Sequence, residues 1–130
     1  MVVWDGNRTT INGVTFQYSL FTDAHSDHER FIIWKTPAMI DRLADLIDRI
    51  RPERILELGV AQGGSAALMN ELAGPLRLVT LDRRDRHEAP PALDAYIDER
   101  GLTDRLRPVY GIDQADAVAL TRLLDSEFGD

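Results

Sequence analysis

Ile55-Leu56-Glu57-Leu58-Gly59-Val60-Ala61-Gln62-Gly63-Gly64-Ser65 decides how the rest of this chain is read. An apolar run ends on a carboxylate, turns on a glycine and opens a helix. Further on, Leu78-Val79-Thr80-Leu81 is a second apolar run, and it ends on Asp82. Strand, glycine loop, helix and a second strand tipped by an acid form the unit with which α/β folds hold a nucleoside-containing cofactor.

Working outward, residues 36–130 read as repeated strand and helix. Thr36-Pro37 opens a helix, with threonine as cap and proline at the first helical position. Met39, Ile40, Leu43, Leu46, Ile47 and Ile50 follow at helical spacing as one apolar stripe, and Arg51-Pro52 ends it. The run 54–59 has almost no polar alternation, which predicts a strand of a parallel sheet covered on both faces. Residues 63–73 form the next helix, with Ala66, Met69, Leu72 and Ala73 inward and Gly74-Pro75 as the stop. A strand over 76–81 follows, then a helix marked by Leu93, Tyr96 and Ile97 and closed by Gly101. A third strand covers 106–110, at an edge because of Pro108. The last helix is expected over 114–124, with Ala117, Leu120 and Leu124 in register. The pattern predicts an α/β fold, a Rossmann-like parallel sheet with flanking helices.

Residues 1–35 read differently, as an N-terminal arm that packs on the core or covers its pocket. Thr9-Thr10-Ile11 and Val14-Thr15-Phe16-Gln17-Tyr18 flank Asn12-Gly13, a β-hairpin signal. Residues 22–30 are expected as a polar loop or a short helix. On a helix, His25 and His28 would share one face with acids nearby; a pair without further ligands assigns no metal site. Trp4 and Trp34 are expected in the core or at an interface.

Composition sets the bounds. The 130 residues suit one domain, and 44% apolar with 28% charged residues suits a folded chain with a real core. No apolar run approaches the roughly 20 residues of a membrane span. The first residues lack the pattern of a secretory signal, so a cytoplasmic protein is expected. There are no cysteines, which excludes disulfides and thiolate metal sites. A net charge of -7 argues against a nucleic-acid surface. The run Asp82-Arg83-Arg84-Asp85-Arg86, followed by His87, reads as a solvated loop.

The loop chemistry narrows the ligand. Gly59 stands where the strand turns and backbone approaches a ligand. Gly63 and Gly64 open a helix whose free N–H groups favour an anion, and Ser65 adds a hydroxyl there. A carboxylate at Glu57 repels a pyrophosphate but suits an ammonium or sulfonium. S-adenosylmethionine carries both cations and a carboxylate. Asp82 is placed to accept hydrogen bonds from ribose hydroxyls.

Glu57 to Ser65, in the form Glu-x-Gly-x-x-x-Gly-x-Ser, resembles the first motif of class I S-adenosylmethionine-dependent methyltransferases. The likeness is to the small-molecule O-methyltransferase branch and the related cephalosporin hydroxylase-like and macrolide-sugar methyltransferase group. Ala61 replaces the middle glycine of the broader pattern. The resemblance covers about residues 36–130. It implies that Glu57, Gly59, Gly63, Ser65 and Asp82 hold the cofactor. Through the looser likeness of Tyr110-Gly111-Ile112-Asp113-Gln114-Ala115, it implies that Asp113, or next Gln114, meets the adenine amino group. It implies methyl transfer to an oxygen of a small-molecule acceptor. It also implies a seven-stranded sheet, of which this chain would hold the first half, an incomplete methyltransferase fold ending near Phe128. The first strand would then lie at an edge, so a homo-oligomer is expected. Two other readings stand beside this one: a truncated, non-catalytic cofactor-binding or oligomerisation module, and a nicotinamide-dependent reductase. The reductase would need a Tyr-x-x-x-Lys pair, and Phe31 stands four residues before Lys35, the sole lysine.

Overall fold

The computed structural model describes residues 2–20 and 24–129. Two three-stranded sheets carry the chain. The first holds β1 (Arg8–Ile11), β2 (Val14–Tyr18) and β3 (Phe31–Ile33). The second is fully parallel, in the order β4 (Arg54–Leu58), β5 (Arg77–Asp82), β6 (Leu106–Tyr110). Helices α1 (Pro37–Ile50), α2 (Gly64–Ala73), α3 (Pro91–Glu99) and α4 (Ala117–Phe128) flank it, with a short 3-10 turn at Arg86–Glu88. This is the α/β, partial Rossmann-like arrangement expected from the strand–loop–helix pattern.

β5 is central, and Leu78 to Leu81 are buried on it. The expected coverage of β4 on both faces is partial: Ile55, Leu56 and Glu57 are half-buried on an edge strand. Its end residues are exposed, with Leu58 52% accessible. The Glu53 carbonyl accepts from the Arg77 N–H and the Gly59 N–H donates to the Leu81 carbonyl, so odd-numbered residues face β5. By alternation the main-chain groups of Leu56 and Leu58 point away from β5. Pro108 is on the other edge strand. The Arg105 carbonyl accepts from the Leu78 N–H, which sets residues 107 and 109 toward β5 and turns the proline nitrogen to the open side.

The hairpin forms at Asn12-Gly13, both with positive φ (52° and 83°), as a two-residue turn that matches strand twist requires. β3 was not foreseen. Phe31, Ile32 and Ile33 are all buried and pair parallel with β2. Residues 24–30 form no helix, and Thr22 and Asp23 lie outside the described residues. The expected arm shares its core with the rest of the chain. Phe16 stacks on Phe31 with centroids 6.0 Å apart, and Phe31 meets the Tyr96 ring edge-on at 5.5 Å. The hairpin turn is fastened as well. The Asn12 amide donates to the Glu71 carbonyl and carboxylate, both at 3.2 Å, and the Arg100 guanidinium donates to the Asn12 carbonyl at 3.1 Å.

Thr36 caps α1, its hydroxyl accepting the Met39 N–H at 3.2 Å, with Pro37 in the first turn. The expected stripe divides in two. Ile40, Ala44 and Ile47 are buried, whereas Met39, Leu46 and Ile50 are exposed (53%, 43% and 62%). α3 buries Leu93, Tyr96 and Ile97 as expected. α4 begins at Ala117, not at residue 114, because Asp116 caps it by accepting the Ala119 N–H. Ala117 is consequently exposed, and Leu120, Leu123, Leu124 and Phe128 form the half-buried side. Glu127 ties this helix to the sheet through Arg77 at 3.0 Å and Arg107 at 2.8 Å. Trp34 is half exposed and Trp4 is half-buried, its indole N–H donating to Asp41 at 3.2 Å.

Gly64 is where the two halves touch. A Cβ there would lie 2.5 Å from the Ile32 carbonyl oxygen and 2.7 Å from Ile33 Cγ1. The first contact is main chain and cannot swing away. Gly64→Ala is therefore expected to lower stability by on the order of 2 kcal/mol in urea unfolding. An unchanged midpoint would show that β3 does not sit this close to α2.

Candidate cofactor site

The three parallel strands end on the same side, and their exit loops make a cleft of about 360 Å³. Gly59, Asp82 and Asp113, all expected site residues, line it together with Arg83, Ile112 and Gln114. Glu57, Gly63 and Ser65 are not on its wall. Glu57 sits one step below on β4, Gly63 is buried against α3, and Ser65 is half-buried in the first turn of α2.

Gly59 turns with φ 98°, a conformation that favours glycine, while the space a Cβ would take is open. Its glycine is thus explained by backbone conformation. Gly63 caps α2 with no side-chain hydrogen bond, so among the described residues no side chain caps the first N–H groups of that helix. Ala61, at the place of the missing glycine, keeps a left-handed φ of 48°.

The two acids are treated oppositely. Glu57 Oε1 accepts the Thr80 hydroxyl at 2.7 Å. Burial pushes the Glu57 carboxyl from 4.5 up to about 7, against the lowering pull of the Thr80 hydroxyl and the Lys35 charge. Asp82 lies in a nest of donors. Oδ2 accepts the Val60 N–H at 3.0 Å and is ion-paired with the Arg84 guanidinium at 3.2 Å, and Oδ1 accepts the Arg84 N–H at 2.9 Å. Burial alone would raise this carboxyl, but the Arg84 and Val60 N–H groups and the Arg84 side chain together hold it below the ordinary carboxylate value. Asp113 is exposed, and its Oδ1 accepts the Ala115 N–H at 2.9 Å.

The loop read as solvated is exposed at Arg83, Asp85, Arg86, His87 and Glu88, but Arg84 is half-buried and engaged. Arg84 also donates to the Ala61 carbonyl at 2.8 Å, and its own carbonyl accepts the Gly111 N–H at 2.9 Å. It thereby joins the glycine loop, the β5 tip and the β6 exit. Arg86 pairs with Asp94 at 3.0 Å and lies over the Tyr110 ring. Sequence spacing gave no sign of this, since charge runs of this kind are commonly solvated. Gln62 was missed too. Its Oε1 accepts the Ser26 N–H at 3.2 Å, which leaves its amide nitrogen to face His25 Nδ1 at 3.2 Å. That nitrogen of His25 is then the acceptor, and in the neutral ring Nε2 carries the hydrogen.

The histidines do not share a helical face, because residues 24–30 are not helical. His28 lies 3.9 Å from Glu29 at the surface. His87 is exposed as expected, within 4.8 Å of ligand atoms of Asp85 and Glu88, which are exposed as well. A second hollow, about 440 Å³, lies between the arm and α3, with Phe31, Tyr96 and Arg100 in its wall. Among the described residues, no helix is long and apolar enough to cross a membrane.

Residues 24–105, more than half of the chain, match the family described as rhamnosyl O-methyltransferase/CmcI. The chain belongs to that family. Among curated proteins none matches it. The rhamnosyl O-methyltransferase/CmcI match begins inside the arm and takes in β3, the glycine loop, Asp82 and Arg84. It therefore covers the contact between arm and loop as well as the sheet.

The raised carboxyl of Glu57 has a signature in stability. Its folded pKa of about 7 exceeds the unfolded 4.5, so the folded state holds a proton that the unfolded chain has released across that window. Stability falls as pH rises from about 4.5 to 7. Glu57→Gln should remove that fall and leave the variant about 2–3 kcal/mol more stable than the parent at pH 8, with little difference near pH 4.5. Urea unfolding across pH reads this directly, and parallel curves for the two proteins would refute it.

Proposed function

We propose that this chain binds S-adenosylmethionine and serves methyl transfer to an oxygen of a small-molecule acceptor. The observation that carries the reading is a half-buried acid, Glu57, whose one hydrogen-bond donor among the described residues is the Thr80 hydroxyl, on the strand that leads to a start of α2 that no described side chain caps. A ligand with a cation for the first and a carboxylate for the second fits this pair. Bound there, S-adenosylmethionine supplies an electrophilic methyl group on sulfur. In this reading Glu57 holds the cationic end, the N–H groups at Gly63-Gly64-Ser65 and the Ser65 hydroxyl take the carboxylate, Asp82 accepts from the ribose, and Asp113 meets the adenine amino group. The family's description names a rhamnosyl acceptor, which supports a sugar hydroxyl as the oxygen to be methylated.

Calorimetric titration with S-adenosylmethionine tests this. The cation favours ionised Glu57, so binding should release a proton near pH 7, seen as a dependence on buffer ionisation enthalpy. Affinity should rise about 10-fold between pH 6 and 8. Glu57→Gln should bind more weakly at pH 8 and lose the pH dependence. A folded protein with no heat of binding would defeat the reading and favour a non-catalytic module.

We propose self-association as well, on the outward main-chain groups of Leu56 and Leu58 in β4 and the exposed Met39, Leu46 and Ile50 of α1. Light scattering should show a mass above one chain that Ile50→Glu reduces, and a monomer at high concentration would exclude it.

A further inference from the structure

An ionised carboxylate offers about four acceptor positions, two on each oxygen. At Asp82 two are filled by main-chain N–H donors from within the chain, and a third is covered by an ion pair. Oδ2 holds the Val60 N–H and the Arg84 guanidinium, and Oδ1 holds the Arg84 N–H. One position is left, on Oδ1. The guanidinium is not a loose surface group that a ligand displaces cheaply. It is anchored a second time on the Ala61 carbonyl, 2.8 Å away, and the Arg84 main chain is pinned by Gly111. Withdrawing it from Oδ2 would also free the carbonyl of Ala61 and let go of the glycine loop. Arg83, not Arg84, lines the cleft, so Arg84 acts on a ligand through Asp82.

We propose that Arg84 is a positioning residue that sets ribose specificity: by filling Oδ2 it leaves Asp82 able to accept one ribose hydroxyl, at Oδ1, and not two. The inference rests on the reading that a nucleoside ribose meets Asp82. It predicts that this site depends strongly on one hydroxyl of the ribose and is indifferent to the other. A site with a free carboxylate would grip both.

The experiment is calorimetric titration of the full chain with S-adenosylhomocysteine and with its 2′-deoxy and 3′-deoxy forms. In the parent protein one deoxy form should bind about 10-fold more weakly or worse, the scale of one hydrogen bond to a charged acceptor, and the other within about 2-fold of the complete ligand. Arg84→Met keeps the aliphatic stem and opens Oδ2, so both deoxy forms should now bind more weakly. Arg84→Lys, which returns a cation to Oδ2, should restore dependence on a single hydroxyl. A merely structural role would lower affinity for all three ligands alike and leave their ratios unchanged, and that result overturns the proposal. Equal losses for the two deoxy forms in the parent protein overturn it without any variant. Absence of binding by complete S-adenosylhomocysteine to the folded protein would defeat the cofactor reading itself, which separates the two failures.

Discussion

The structure depends on one close approach. β3 lies so near the first turn of α2 that only a glycine fits at position 64, where the Ile32 carbonyl leaves no room for a Cβ. Everything that joins the hairpin sheet to the parallel sheet is arranged around that contact. Phe16 and Phe31 reach Tyr96 because β3 is held there, and the segment before β3 is brought within reach of the glycine loop, where Ser26 and His25 meet Gln62. Glycines of a cofactor loop are usually explained by the ligand. Here Gly64 is required by a neighbouring strand and Gly63 by Leu93 as well as by its φ of 82°. The same residues that leave the helix start without a side-chain cap let the arm pack down on it.

The tips of β4 and β5 keep two acids in opposite states, and their positions explain why. Glu57 points from an edge strand toward fully buried Thr80, which offers one hydroxyl and little else. Desolvation then dominates and the proton is retained to about pH 7. Asp82 stands at the end of the central strand, where three loops converge and their N–H groups point inward. Donors outweigh burial and the charge persists. One acid thereby keeps its proton to about pH 7, and the other is a fixed negative charge that organises the backbone around it.

Much of this was legible in the sequence because it depends on local rules. The Asn12-Gly13 turn, the Thr36-Pro37 helix start, the Gly74 stop and the acid at the tip of the second strand are each set by residues within a few positions of one another. What escaped depended on distance. β3 is three residues long and too short to show a period, and it exists only because β2 offers an edge and α2 a face. The stripe of α1 divides because packing covers only part of a helix whose apolar residues span a wide arc. Arg84 and Gln62 were invisible as site residues, since an arginine in a charged run and a glutamine in a loop carry no signal until their partners at Ala61, Asp82, His25 and Ser26 are placed.

Ala61 shows what that network achieves. A left-handed alanine is disfavoured by roughly 1–2 kcal/mol, and nothing in its own side chain compensates. The conformation persists because its carbonyl is held by Arg84, the preceding N–H is held by Asp82, and the Val60 carbonyl accepts the Gly63 N–H at 2.8 Å. Three hydrogen bonds, two of them with charged partners, outweigh that local cost. The chain's own hydrogen bonds thus hold the glycine loop in its shape. The restraint that shapes it, Arg84 on Asp82, is also the one that narrows what Asp82 has left to offer.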